Sequence, residues 1–364
     1  MPESKPKSRF APDPNVQRGL VSTTSRVIGH YEDDDLAIAL TFPGTDITAR
    51  LIEGSGSRTS FVVSFSTPEL TETDFIAPDY SPHLAAVAAC MAVLFGKRFD
   101  VHGLTEEHGR FRTPDVSQYA SLCDPALRFN SHQPREAFPV KLELSEFGAI
   151  SPLFDPGEDL EDVATKLLRA ATFYMRSLQS AEREPEVAYL LLISAGEVLA
   201  TLHPRAPLDE RTQKHLSLIR RHVPYGCKVA KGIENQLGVI RRSFVATIAG
   251  LVDSDFFNSQ DDPPHFRFSE ESIEKVVGSA YDLRSLYLHS GAPFGSAVTT
   301  GFRYSLIPGE LRDGDKKVRK ATKHAPTLVG MERLIRYAVL TCMENHGLLA
   351  ARTPIREEPP ARAN

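Results

Sequence analysis

Between Val187 and Ala200 the chain runs for fourteen residues with only Ser194 and Glu197 polar. A helix that is apolar on every side has to be enclosed by other protein elements. No run in the chain approaches the roughly 18 apolar residues that a membrane span needs, so enclosure by neighbouring helices is expected. Pro185 suits a first helical turn, which places this helix from there to about Leu202, at the centre of a bundle. Its neighbours follow from periodicity. One helix is expected at about 160–183, with Leu167, Leu168, Ala171, Phe173 and Leu178 apolar. Another falls near 208–222, rich in Arg211, Lys214, His215, Arg220 and Arg221. A third spans about 229–252 and buries Ile233, Leu237, Ile240, Phe244 and Ile248, and a closing helix, Leu328 to Leu348, carries Leu334, Tyr337, Ala338 and Cys342.

The first half alternates with period two instead. Leu36, Ile38 and Leu40, then Ile47, Ala49 and Leu51, then Phe61, Val63 and Phe65 predict three antiparallel strands, separated by Pro43-Gly44 and Gly54-Ser-Gly56-Ser57. A buried helix is expected from about Pro82 to Phe95, with further short strands at Val101, at Phe111 and at Val140-Leu142-Leu144. Gly96-Lys97 lacks the glycine spacing of a phosphate loop. His102, His108, Glu106 and Glu107 lack helical H-E-x-x-H spacing and read as solvated loop residues. The β pattern ends near residue 155. The fold class is therefore an α+β N-terminal domain followed by an all-α helical bundle: 1–15 a disordered tail, 16–155 a small α+β domain of unassigned role, 156–350 the bundle with an insertion at about 292–326, and 351–364 a second tail.

A net charge of −5 argues against wholesale coating of a polyanion, so nucleic-acid contact should be local. Cys90, Cys123, Cys227 and Cys342 show no C-x-x-C spacing and read as reduced and mostly packed. With no apolar h-region at the start, a cytoplasmic location is expected and no membrane association.

The chemistry-bearing stretch is Tyr281-Asp-Leu-Arg284-Ser285-Leu-Tyr287-Leu-His289-Ser290-Gly291. It closes a helix that opens at Ser269, with Glu270 and Glu271 in its first turn and Gly291 at its exit. Ile273, Val276, Ala280, Leu283 and Tyr287 form the core-facing stripe, which leaves Tyr281, Ser285 and His289 on an outward one with Arg284 between. Arg284 and His289 are five positions apart, about 140° around an ideal helix, so the two converge only if the last turn loosens. On the apolar helix, Ser194, Glu197 and Thr201 make a narrow polar stripe. Facing inward, the Glu197 carboxylate needs a partner, with Arg284 the first candidate; the alternative is a surface glutamate at the bundle edge.

The pattern Y-x-x-R-S-x-x-x-H at the close of a helix, in an all-helical C-terminal half, resembles the signature of the HEPN superfamily and is similar to its Apea-like branch. The likeness covers roughly residues 160–350. It implies a small helical bundle that forms a homodimer through the motif helix, and a metal-independent ribonuclease active site at Arg284 and His289, supported by Tyr281, Ser285 and Glu197. Arg333 and Arg336 look like the arginines of that family's closing helix. No cofactor or metal is implied; RNA is the implied substrate, and a defence system with a partner protein the implied setting.

RNA cleavage without a metal requires a base for the 2′-hydroxyl, an acid for the departing 5′-oxygen and positive charge for the phosphorane. His289 can exchange protons near neutrality, and the Arg284 fork suits a phosphate. A symmetric dimer supplies the second histidine, while Ser285 or Tyr281 would hold the scissile phosphate. Lys316, Lys317, Arg319, Lys320 and Lys323 form a basic run that reads as a solvated loop or as salt-sensitive RNA contacts. The alternative to an enzyme is a non-catalytic RNA- or nucleotide-binding dimerisation module.

Overall fold

The computed structural model describes residues 15–41, 58–68, 78–117, 123–204, 208, 210–236, 239–259, 268–294 and 316–350. The N-terminal region is an antiparallel sheet. Its strands are β1 (Val16–Thr23), β2 (His30–Glu32), β3 (Leu36–Leu40), β4 (Thr59–Ser66), β5 (Phe99–Glu107) and β6 (Arg110–Phe111), in the order β2-β3-β4-β1-β5-β6. Helix α1 (Ser81–Phe95) packs on β5, and every residue from Val87 to Phe95 is buried, because the helical half closes over its other side.

Three readings of this region are corrected. β1, the central strand, starts well before the alternation at Leu36 and buries Gln17, Ser22 and Thr23 with its apolar residues. Each of the three has a partner: the Gln17 amide donates to Thr67, Ser22 meets His102, and the Thr23 hydroxyl donates to the Arg98 carbonyl. Val140, Leu142 and Leu144 are buried but form no strand. Leu142 and Leu144 only bracket Ile28, and a 3-10 turn occupies Leu144–Ala149. His102 is no solvated loop residue either. It sits buried on β5 with Nε2 2.8 Å from Ser22 Oγ and Nδ1 2.7 Å from the Asp115 carbonyl, and burial holds its pKa below the ordinary histidine value. Glu106 and Glu107 of the same strand pair with Arg18 and Arg112. The readings at Ile47–Leu51, at Gly54–Ser57 and of both tails lie outside the described residues.

The C-terminal portion is mostly helical: α2 (Glu161–Ser180), α3 (Pro185–Ala200), α4 (Glu210–His222), α5 (Gly226–Gln236), α6 (Val239–Gly250), α7 (Ser254–Asn258), α8 (Ile273–Ser290), α9 (Lys316–Thr322) and α10 (Leu328–Asn345). α3 is the central helix. None of its residues is exposed, and it packs against α2, α6, α8 and α10. Gly196 allows the closest approach, since a Cβ there would stand 2.5 Å from the Phe244 ring of α6. The single helix expected over 229–252 is two, α5 and α6. Ile240, expected in the core, is 65% exposed, because α6 turns Ser243, Phe244, Thr247 and Ile248 into the bundle.

One hydrophobic cluster runs from Val21 in the sheet to Leu349 beyond α10, across the boundary expected near 155. Buried polar contacts cross it too. Arg336 of α10 donates to the carbonyls of Val93 (2.8 Å) and Leu94 (2.5 Å) at the end of α1, and to those of Ala137 (2.6 Å) and Phe138. A guanidinium suits this place, where several carbonyls converge at the negative end of the helix dipole. Glu332, one turn earlier, takes a two-pronged pair from Arg135 at 2.8 and 2.9 Å and a hydrogen bond from Tyr174 of α2. Arg333 lies over the Phe256 ring, its guanidinium carbon 4.3 Å from the centroid, and donates to Ser259 at 2.8 Å. Among the described residues no helix is long and apolar enough to cross a membrane.

Candidate functional site

Helix α8 follows a 3-10 turn at Glu270–Ser272, where the Ser269 amide donates to Ser272 Oγ at 3.3 Å. It ends on Gly291, whose φ of 65° is the left-handed value that closes helices and whose amide reaches back to the Tyr287 carbonyl at 2.9 Å. The helix stays regular through Ser290, so the last turn does not loosen. Arg284 and His289 therefore keep the angular separation of an ideal helix, with about 7.5 Å of rise between them. Within one chain they do not converge.

The structure brings Glu197, Tyr281 and Arg284 together. Glu197 projects from the middle of α3 toward α8 and accepts from Tyr281 Oη at 3.1 Å on one oxygen and from Arg284 Nη2 at 3.2 Å on the other. Its side chain keeps 20% exposure and that of Arg284 26%. The remaining guanidinium N–H groups of Arg284 have no hydrogen-bond partner among the described residues, and its carbon lies 5.4 Å from the Tyr281 ring centroid. An arginine oriented from below by a carboxylate, with donors left at the surface, can receive an anionic oxygen.

The expected outward position of Tyr281 is corrected. Its ring is buried, 5.3 Å from that of Phe244, and belongs to the core. Ile273, Ala280 and Leu283 of the expected stripe are buried and Val276 and Tyr287 half-buried, but Val277, Gly278, Ser279 and Tyr281 widen the buried side of α8 beyond it. Burial, followed by the Glu197 charge and hydrogen bond, raises the phenol's pKa above its ordinary value. With its hydroxyl on Glu197, Tyr281 positions Arg284 and is not placed to grip a phosphate. Ser285 is half-buried with no hydrogen-bond partner among the described residues, and His289 is exposed in the last turn.

On the flank of α8, Arg241 of α6 holds Asp282 through two hydrogen bonds, at 2.7 and 3.1 Å, and the Gly278 carbonyl at 3.2 Å. This brace was missed, although Asp282 stands inside the motif; an acid beside a helix seam is the signal that could have raised it.

The basic run is not a loop. Lys316–Thr322 is α9, which packs against α8 through a side that includes Ala321 and Thr322, while Lys317, Lys320 and Lys323 are exposed. Burial and the charges of Lys275 and Lys323 lower the pKa of His324, which places the end of α9 beside the opening of α8. About 21 Å of helix lies between Lys275 and His289, so this end of the run is remote from the exposed histidine. The strands expected at Gly301–Ser305, with Arg312, lie outside the described residues.

No group of three or more metal-ligating side chains occurs among the described residues. No family model matches the chain, nor does any curated protein or solved structure.

Proposed function

We propose that the protein is a metal-independent endoribonuclease of HEPN type, whose active site forms when two copies bring their α8 ends together. The observation that carries the reading is Arg284, held by Glu197 and Tyr281 with donors open at the surface, one and a half turns before an exposed His289. In the dimer, His289 of one copy takes the proton of the RNA 2′-hydroxyl as that oxygen attacks the adjacent phosphorus. The second His289 protonates the leaving 5′-oxygen. The two Arg284 side chains stabilise the phosphorane charge, and the products carry a 2′,3′-cyclic phosphate and a 5′-hydroxyl. A defence role with a partner protein, and a cytoplasmic setting, belong to the same proposal.

The test is cleavage of labelled tRNA and mRNA in EDTA. Wild type cleaves, and His289→Ala lowers the rate by about 10² to 10⁴ with no change in urea midpoint, since the side chain is exposed. Sizing at low micromolar concentration should give a dimer; a strict monomer would leave the acid role empty and overturn the mechanism.

One observation favours a second reading, a non-catalytic RNA- or nucleotide-binding dimerisation module. The charge of Arg284 is already matched by Glu197 within its own chain, which weakens its pull on a phosphorane. Binding without turnover would select this reading.

A further inference from the structure

Helices α4 and α5 form a hairpin that packs on itself and makes no more than marginal contact with any other helix or strand among the described residues. Its seam is narrow. Leu216 and Ala230 are buried, and Gly226 permits the crossing, because a Cβ there would stand 2.1 Å from the Ile219 carbonyl oxygen. Almost everything else on the hairpin is exposed. From Glu210 to Gln236 it carries six Lys and Arg against two acids, a charge of +4 in a chain whose total is −5. Arg211, Lys214, Leu218 and Arg221 recur at spacings of three and four and so share one face of α4, with Lys228 and Lys231 exposed on α5.

At the tip is Tyr225. It is 87% exposed and holds a left-handed backbone, φ 57°. That conformation is unfavourable for a residue with a bulky side chain, and the exposed ring makes no core contact that would offset it. Leu218, Val223 and Val229 of the hairpin are exposed as well.

Concentrated positive charge on an arm that buries little, with an aromatic face at its end, matches a flexible polyanion that carries flat apolar rings. The cations follow phosphates and the ring stacks on a base. We propose that the α4–α5 hairpin is a single-stranded RNA-binding arm, with Arg211, Lys214, Arg221, Lys228 and Lys231 on the backbone and Tyr225 on a base. The proposal rests on the reading above only for the class of polyanion.

The experiment measures binding of labelled oligouridine by fluorescence anisotropy across a salt series in EDTA. All proteins are full-length and carry His289→Ala, so that the strand stays intact. The parent binds with steep salt dependence. Replacing Lys214, Arg221, Lys228 and Lys231 together by Gln lowers affinity at low salt by at least tenfold, and lowers the slope of log K against log salt by about 3, at roughly 0.7 per phosphate contact. Tyr225→Gly weakens binding about tenfold while raising the thermal midpoint, because glycine relieves the left-handed backbone; a merely structural tyrosine would not separate the two. Unchanged affinity in either variant overturns the proposal, as does capture of phosphatidylserine vesicles by the arm without capture of oligouridine. With His289 restored, cleavage that persists in both arm variants, together with unchanged affinity, removes the arm and leaves the nuclease standing. Arm-dependent binding in a protein that never cleaves does the reverse.

Discussion

The same three side chains, a glutamate, an arginine and a tyrosine, meet twice in this protein. Glu332 holds Arg135 and Tyr174, and Glu197 holds Arg284 and Tyr281. In the first group the charged side chains are 1% and 2% exposed, and Arg135 grips both carboxylate oxygens. In the second, exposure is 20% and 26%, with a single contact at 3.2 Å. Burial decides what each group is for. A pair sealed from water is a fastener, because loss of either partner strands a charge in a poor dielectric. A pair at the rim is loosely coupled and leaves donors available to a ligand.

The largest test of this contrast is Glu332→Ala, which strands Arg135 and is expected to lower unfolding free energy by about 3–5 kcal/mol, read as a fall in urea midpoint at neutral pH. A loss below about 1 kcal/mol would erase the distinction. Glu197→Gln is expected to lose less than about 1 kcal/mol in the same assay, yet to depress RNA cleavage by releasing Arg284. Equal stability losses at the two glutamates would make the rim group another fastener. The smallest effect is in alkaline solution. Burial raises both phenols, Tyr174 well above its ordinary value, with the neighbouring carboxylate charge adding to each. The folded chain then keeps protons that the unfolded chain releases near pH 10. The stability they contribute is full below about pH 10 and is lost as pH rises through the folded values. Tyrosinate absorbance should show Tyr281 ionising before Tyr174, identified by Tyr281→Phe removing the earlier component. The opposite order would place the greater burial at the rim.

The bundle was legible because its signals are local: an all-apolar run, Pro185 at a helix start and Gly291 at an exit. β3 and its neighbour β4 were legible for the same reason, since their large apolar residues alternate along the strand. β1 was not. It lies between two strands, and its polar residues are satisfied by groups such as His102 that are some 80 positions away in sequence. At Val140–Leu144 alternation reported burial correctly but could not supply a ladder partner, and Ile28 alone is not one. In the site, a carboxylate on the apolar helix with Arg284 as its first candidate partner could be derived from the cost of an unpaired charge. The side on which Tyr281 lies could not, because the buried side of α8 is wider than the stripe its apolar residues mark.

The four carbonyls that receive Arg336 all come from the half of the chain that carries the sheet. Neither half can therefore be shuffled onto a foreign neighbour or expressed by itself without exposing an empty socket of carbonyls or a charged plug. Any event that shifts the end of α1 pulls directly on α10. Genetic exchange should thus have kept these segments as a single inheritable unit, and a chimera that swaps the sheet must carry across acceptors for one guanidinium.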